Sequence, residues 1–287
     1  MKTGLAIWHY PQRTLAENIA FFAGHGFESL SSIGSVMVKH CLKEAAGEQL
    51  AAVLRQTGIE LTVHHKLPDL DKYSDAEFYR DICLMRTWQE QHGLLSILSF
   101  DVPQSIRDRQ AGAYIDFVLR AFEGTATRVA VEDYGLNDAE RAQLAPFEGN
   151  PRFGLLIDIG HMNIRLSGGG NPLRTLFAPS GEGAPRPVGD NGYEAFCHAF
   201  ACKTFPIFEI HLHNNDGKLD LHNFLECGTV QAADIARTLR TVGYDGVVTI
   251  ESVPGCHGLQ GDVGDERILQ TYAYWKEILL REGLTPV

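Results

Sequence analysis

The chain has 287 residues, with 25 Lys+Arg against 36 Asp+Glu for a formal net charge of −11, and 44% of its residues are hydrophobic and 21% charged. That composition excludes disorder for the chain as a whole, and a chain of this size buries about three quarters of its unfolded surface, so it needs neither disulfides nor a structural metal. The acidic balance, with no basic run to offset it, argues against a nucleic-acid partner, because phosphate binding depends on Lys and Arg displacing counterions.

Taken in chain order, short apolar or β-branched runs predict strands at Gly4–Trp8, Phe27–Ser31, Ile59–His64, Leu94–Phe100, Arg128–Glu132, Phe153–Asp158, Ile207–His213 and Val247–Glu251. Between them, apolar residues at helical spacing predict helices at Leu15–Gly24, Leu42–Gln56, Asp75–His92, Ile106–Phe122, Tyr193–Lys203, Ala232–Val242 and Glu266–Arg281. Strand and helix alternate from end to end, which implies parallel strands joined by helical crossovers. Eight such units predict an α/β fold, a single parallel eight-stranded (β/α)8 TIM barrel over residues 1–287, in preference to an open doubly wound sheet. No Gly-x-Gly-x-x-Gly follows the first strand.

One stretch interrupts the alternation. Residues 166–192 form a Gly/Pro-rich insertion after the sixth strand, on the face where barrels bind ligands, and it reads as a lid or pocket wall over Ser167–Asn191. Six cysteines scattered without CxxC spacing read as reduced thiols. The residues before His9 include only a few that are apolar, and no stretch approaches a membrane span. The protein is expected to be cytoplasmic, without a membrane partner, and a homo-oligomer is compatible with the sequence.

Charged and imidazole side chains terminate one predicted strand after another. Glu132, Asp158, His211 with His213, and Glu251 close four consecutive strands, and His64 with His65 closes the third. Carboxylates are costly in apolar surroundings unless a compensating charge is shared among them, and in a parallel barrel these strand ends converge on one rim. Strand alternation puts His211 and His213 on one face. After Asp158, Gly160 permits a tight turn that leans His161 over the rim, and Asp220 and His222 follow the turn at Asn214–Gly217. Taken alone, His64 is an ordinary hydrogen-bonded strand-end histidine and Asp220 a turn former. Glu209 shares the parity of His211 and is expected in a buried ion pair with a structural role. Trp8, Phe100 and Tyr134 are candidates for shaping the pocket, and no activating base is evident for Cys227 or Cys256.

Together, Val131-Glu132-Asp133-Tyr134-Gly135, Asp158-Ile159-Gly160-His161, His211-Leu212-His213-Asn214-Asn215-Asp216-Gly217 with Asp220-Leu221-His222, and Thr249-Ile250-Glu251 make the chain resemble the xylose isomerase-like (β/α)8 barrels. That superfamily includes sugar isomerases and epimerases and the zinc-dependent AP endonucleases of family 2 type. The resemblance implies a divalent metal ion (Mn, Mg, Zn or Co) held by Glu132, Asp158, His211 and Glu251. His64, His161, His213, Asp220 and His222 would bind substrate, and some of them would line the pocket or hold additional metal. Three departures stand out. Ser99-Phe100-Asp101 occupies the place of a further histidine ligand in the endonuclease branch, Glu226-Cys227-Gly228 replaces a frequent Gly-Glu-Gly, and Asn214 stands where many relatives have Asp.

The function this implies is a metal-dependent isomerase or epimerase of a sugar or sugar acid, working by proton transfer next to a carbonyl with Glu132 and Glu251 as catalytic residues. The alternatives are a metal-dependent phosphoester hydrolase of the AP endonuclease type and a non-catalytic sugar-binding barrel. Retention of both Glu132 and Glu251 weighs against the binding-only protein.

Overall fold

The computed structural model describes residues 1–7, 12–41, 43–69, 72–101, 111–133, 142–166 and 204–284. Strands β1 Lys2–Ile7, β2 Ser29–Ile33, β3 Glu60–Lys66, β4 Leu95–Asp101, β5 Arg128–Asp133, β6 Phe153–Asp158, β7 Ile207–Leu212 and β8 Val247–Ile250 close in sequence order into one all-parallel barrel. Helices α1 Leu15–Gly24, α2 Gly34–Cys41, α3 Glu44–Thr57, α4 Asp75–His92, α5 Ala111–Ala121, α6 Ile159–Leu166, α7 Ala232–Val242 and α8 Gly261–Arg281 are the helices of the described residues, with short 3-10 turns at Ala145–Phe147 and Pro254–His257. The eight-stranded parallel barrel read from the sequence is the observed fold. The helix expected over Tyr193–Lys203, the insertion Ser167–Asn191, Trp8 and Tyr134 lie outside the described residues.

Local chemistry explains where several helices begin and end. Thr14 with Glu17 and Ser74 with Glu77 form reciprocal capping boxes that satisfy the first free N–H groups of α1 and α4. Helices α3 and α4 stop at Gly58 and Gly93, whose φ angles of 69° and 70° lie in the left-handed region that side chains resist. Two helices were not anticipated. Both α2 and α6 are 8 residues long, too short for apolar periodicity to stand out. Helix α6 follows β6 with no intervening loop, so the expected tight turn at Gly160 is the first turn of a helix.

The main apolar core lies between the outer face of the barrel and the helices, with Phe22, Phe78, Phe100, Phe122, Phe153 and Trp275 among its largest fully buried side chains. Burying each contributes roughly 1.5–3 kcal/mol. Phe100 packs against His65 and Phe78 in this layer. It therefore does not shape the pocket as expected, because its parity is opposite to that of Ser99 and Asp101. A smaller cluster of Ile97, Ala130, Leu156 and Phe208 sits inside the barrel, two residues below Ser99, Glu132 and Asp158 on the same strand faces. Phe208 joins it because β7 carries one extra residue where it pairs with β6, Leu155 facing Ile207 and Leu156 facing Glu209. Among the described residues, no helix is long and apolar enough to cross a membrane.

Candidate metal and active site

Strand register sets the heights of the functional side chains. Asp158 is level with His211, His211 with Thr249, and His64 with Ser99. Alternation then turns Asp101, Glu132, Asp158, His211 and Glu251 inward at the C-terminal rim, and all but Asp101 are buried.

One set of three donors converges from β6, β7 and the end of β8. Asp158, His211 and Glu251 each offer an atom within 4.8 Å of the other two. His211 Nδ1 lies 3.1 Å from Glu251 Oε1 and 4.0 Å from Asp158 Oδ2. Glu132 stands beside this group, bonded through Oε1 to His161 Nδ1 at 2.7 Å, and forms a second set with Asp158 and His161. Asp158 has two tasks. Its Oδ1 accepts the backbone N–H of His161 at 2.7 Å and so caps α6, while Oδ2 faces the site.

A further cluster adjoins it. His161, His213, Asp220 and His222 also present donor atoms within 4.8 Å of one another. His213 Nε2 is 3.2 Å from Asp158 Oδ1, and its ring stacks on His222 with centroids 4.1 Å apart. Asp220 bridges His161 Nε2 at 3.3 Å and His222 Nε2 at 3.2 Å, while His222 Nδ1 donates to the Glu251 carbonyl at 3.0 Å. His222 adopts φ 42°, the one non-Gly residue with positive φ among those described, a strained conformation of the kind that clusters at functional sites.

On the other flank, His64 contacts Ser99 Oγ at 2.9 Å through Nδ1 and Asp101 Oδ1 at 3.0 Å through Nε2, and Nε2 is 3.5 Å from Glu132 Oε2. His64, Asp101 and Glu132 form another potential cation-binding group. The strand-end rule that picks out Glu132 and Asp158 applies equally to Asp101, but a search for histidine at that point passes over it. A small cavity lined by Ala6, Ser31, His64, His211 and Glu251 opens beside these residues.

The electrostatics are those of an acidic ring compensated by imidazoles. Among the described residues, Asp101, Glu132, Asp158, Asp220 and Glu251 form ion pairs with histidines and none with Lys or Arg. Burial, then the adjacent charge of Asp101 and the hydrogen bond between the two carboxyl groups, push Glu132 up to about 8, so it holds a proton at neutral pH. Asp158 is also buried, which alone would raise it, yet His161, His213 and His211 hold it well below the usual carboxylate range. His222 is pulled down by burial and more strongly held up by Asp220 and Glu251, to about 9.

These residues suit a divalent cation. Asp158 Oδ2, Glu251 Oε2, both ring nitrogens of His211 and of His213, and Asp220 Oδ1 are buried without a hydrogen-bond partner, an arrangement that is costly unless something positive sits among them. A mixed set of carboxylate and imidazole donors matches zinc, manganese or cobalt.

The connection after β7 is held by amides. Asn214 Nδ2 donates to the carbonyls of Leu225 and Val230 at 2.8 and 2.9 Å, and its Oδ1 accepts from the backbone of Asn215 and Val230. A carboxylate there lacks the two N–H donors, which accounts for Asn at this position. Asn215 Nδ2 reaches the Gly160 carbonyl at 2.8 Å, and Asn163 Nδ2 reaches Asn215 Oδ1 at 2.7 Å, tying this loop to α6.

No protein-family model matches the chain, and no curated protein matches it in sequence. Solved structures do match. D-psicose 3-epimerase with D-tagatose from Clostridium cellulolyticum H10 superposes with TM-score 0.64 at 15% identity, over 97% of this chain and 99% of that one. D-allulose 3-epimerase from Methylomonas sp. in complex with D-allulose gives 0.66 at 13% identity, over 96% of each chain. A xylose isomerase domain protein from Alicyclobacillus acidocaldarius gives 0.61 at 14% identity, over 98% and 99%. At these identities the likeness is one of architecture: the chain shares the (β/α)8 barrel fold of these structures.

Proposed function

We propose that the protein is a divalent-metal-dependent epimerase or isomerase of a sugar or sugar acid, transferring a proton next to a carbonyl. The convergence of Asp158, His211 and Glu251 from three consecutive strands, with buried donor atoms that lack hydrogen-bond partners, carries this proposal. Structural neighbours named as sugar 3-epimerases add support from the fold.

Glu132, Asp158, His211 and Glu251 would hold the ion, and a bound divalent ion supplies Lewis-acid polarisation of a carbonyl oxygen. Glu132 and Glu251 come from non-adjacent strands, β5 and β8, which suits removal of a proton from one face of the substrate and its return on the other. His64, His161, His213, Asp220 and His222 surround the same space with donors and acceptors for hydroxyl groups.

The His161, His213, Asp220 and His222 cluster favours a second reading, phosphoester hydrolysis with more than one ion. Metal analysis of the purified protein, followed by solvent-deuterium incorporation across ketoses and sugar acids, tests the two. Wash-in of deuterium at carbon beside the carbonyl is expected. Its absence in metal-loaded protein, with phosphate released from a phosphate ester, would favour the hydrolase.

A further inference from the structure

Glu209 is a buried barrel carboxylate that the proposed chemistry does not use. Glu209 lies on β7 two residues below His211, facing the same way, with 0% of its surface exposed. Its Oε1 accepts the hydroxyl of Thr62 on β3 at 3.0 Å and that of Thr249 on β8 at 2.6 Å, so side chains from two other strands fix the carboxylate in place. The same oxygen lies 3.5 Å from His211 Nε2, an ion-pair contact that falls short of a formed hydrogen bond. On the opposite edge of that ring, Nδ1 faces Glu251 and Asp158.

The two ring nitrogens are therefore in different surroundings. A fixed acceptor beneath Nε2 favours a proton on that nitrogen and leaves the lone pair on Nδ1, directed toward the candidate ion site. Ligating imidazoles are commonly oriented this way, by a carboxylate that takes the other N–H.

We propose that Glu209 is a positioning residue for metal binding: it holds His211 as the Nε2–H tautomer so that Nδ1 is the nitrogen offered to the ion, a role that rests on the metal site proposed above. A purely structural buried ion pair makes a different forecast, because replacing it is often neutral or even stabilising and leaves metal affinity unchanged.

The test compares wild type with Glu209→Gln and Glu209→Asp, using zinc affinity measured by competition with a chelating dye and long-range 1H–15N NMR of His211 in the zinc-loaded protein. Wild type is expected to show zinc on Nδ1 and a proton on Nε2. Glu209→Gln is expected to lose about 10- to 100-fold in affinity, and Glu209→Asp, which keeps the charge on a shorter stem, less. If Glu209→Gln fails to fold, Thr249→Val carries the test, with a several-fold loss expected from freeing the carboxylate. Unchanged affinity with the same ligating nitrogen in a folded variant overturns the role of Glu209 alone. Wild type that binds no zinc, cobalt or manganese overturns the metal site and this role together.

Discussion

Gly160 and His213 are in such close apposition that a Cβ on the glycine would overlap Cε1, Nε2 and Nδ1 of the imidazole. Gly160 has no positive φ. Its missing side chain serves proximity, making room in the first turn of α6 for a ring supplied by the end of β7. Gly160→Ala is expected to displace His213 from Asp158 and His222, and overpacking of this kind costs about 1–3 kcal/mol. Thermal unfolding should show a melting temperature lower by a few degrees. Deuterium wash-in should fall at least tenfold; an unchanged rate would mean that the position of His213 is immaterial to turnover.

Asp158 separates fold from function by choice of substitution. Asp158→Asn keeps an oxygen that can cap α6 but removes the charge that pairs with the surrounding histidines, so metal occupancy should drop and the metal-free protein should lose less stability than with Asp158→Ala. Asp158→Ala should lose the ion and, in addition, about 1 kcal/mol of stability. Elemental analysis beside thermal melts distinguishes the two. Glu132→Gln, His211→Ala and Glu251→Gln should likewise lower occupancy, and full occupancy in all of these variants would remove the assigned ligand set.

His65 provides a pH signature away from the ring. It points into the helical layer, where Nε2 donates to Tyr73 Oη at 2.8 Å and the Tyr73 hydroxyl donates to Asp81 at 2.9 Å. Burial, opposed by the charge of Asp81, lowers its pKa from 6.5 to about 4. As pH falls below 6.5 the unfolded chain takes up this proton first, so stability present above 6.5 is lost progressively toward pH 4, by roughly 3 kcal/mol. His222, held up to about 9, acts in the opposite sense: its contribution is full below 6.5 and is lost as pH rises through 9. The wild-type profile is therefore composite, and the useful quantity is the difference from His65→Gln. Urea unfolding at pH 7.5, 6 and 5 should show a flatter acid limb in the variant; parallel profiles would contradict a neutral buried imidazole.

Asn214→Asp tests the amide clamp on the connection after β7. The substitution removes the donors to Leu225 and Val230 and sets a negative charge against two carbonyls. A loss of about 2–4 kcal/mol is expected, from two buried bonds at roughly 1–2 kcal/mol each. Denaturant titration measures it, and a loss under 0.5 kcal/mol would show that the loop is held by other means.

Much of the barrel was legible because its signals are local. β-branched runs ending in a carboxylate or imidazole mark the strands, and the parity Glu209 shares with His211 places it inside the barrel in a buried ion pair, whose partner the structure gives as His211. What escaped depends on packing across distance or on very short elements. Asp101 is a partner of His64 and Glu132 only once β3, β4 and β5 lie side by side. Phe100 was misassigned because strand-end position alone does not say which face a residue occupies. The role of Asn214 follows from carbonyls 11 and 16 residues away, which no spacing rule relates to it.

The direct passage from β6 into α6 bears on how this sequence tolerates change over generations. Asp158 ends a strand, starts a helix and offers an oxygen to the pocket, all in one residue. Drift to Asn would leave a sound barrel with a silenced pocket, whereas drift to an apolar residue would fray α6 as well. Lineages descended from this chain should accordingly show free turnover of side chains on the outer helices, while Asp158, Gly160 and His161 change together or not at all.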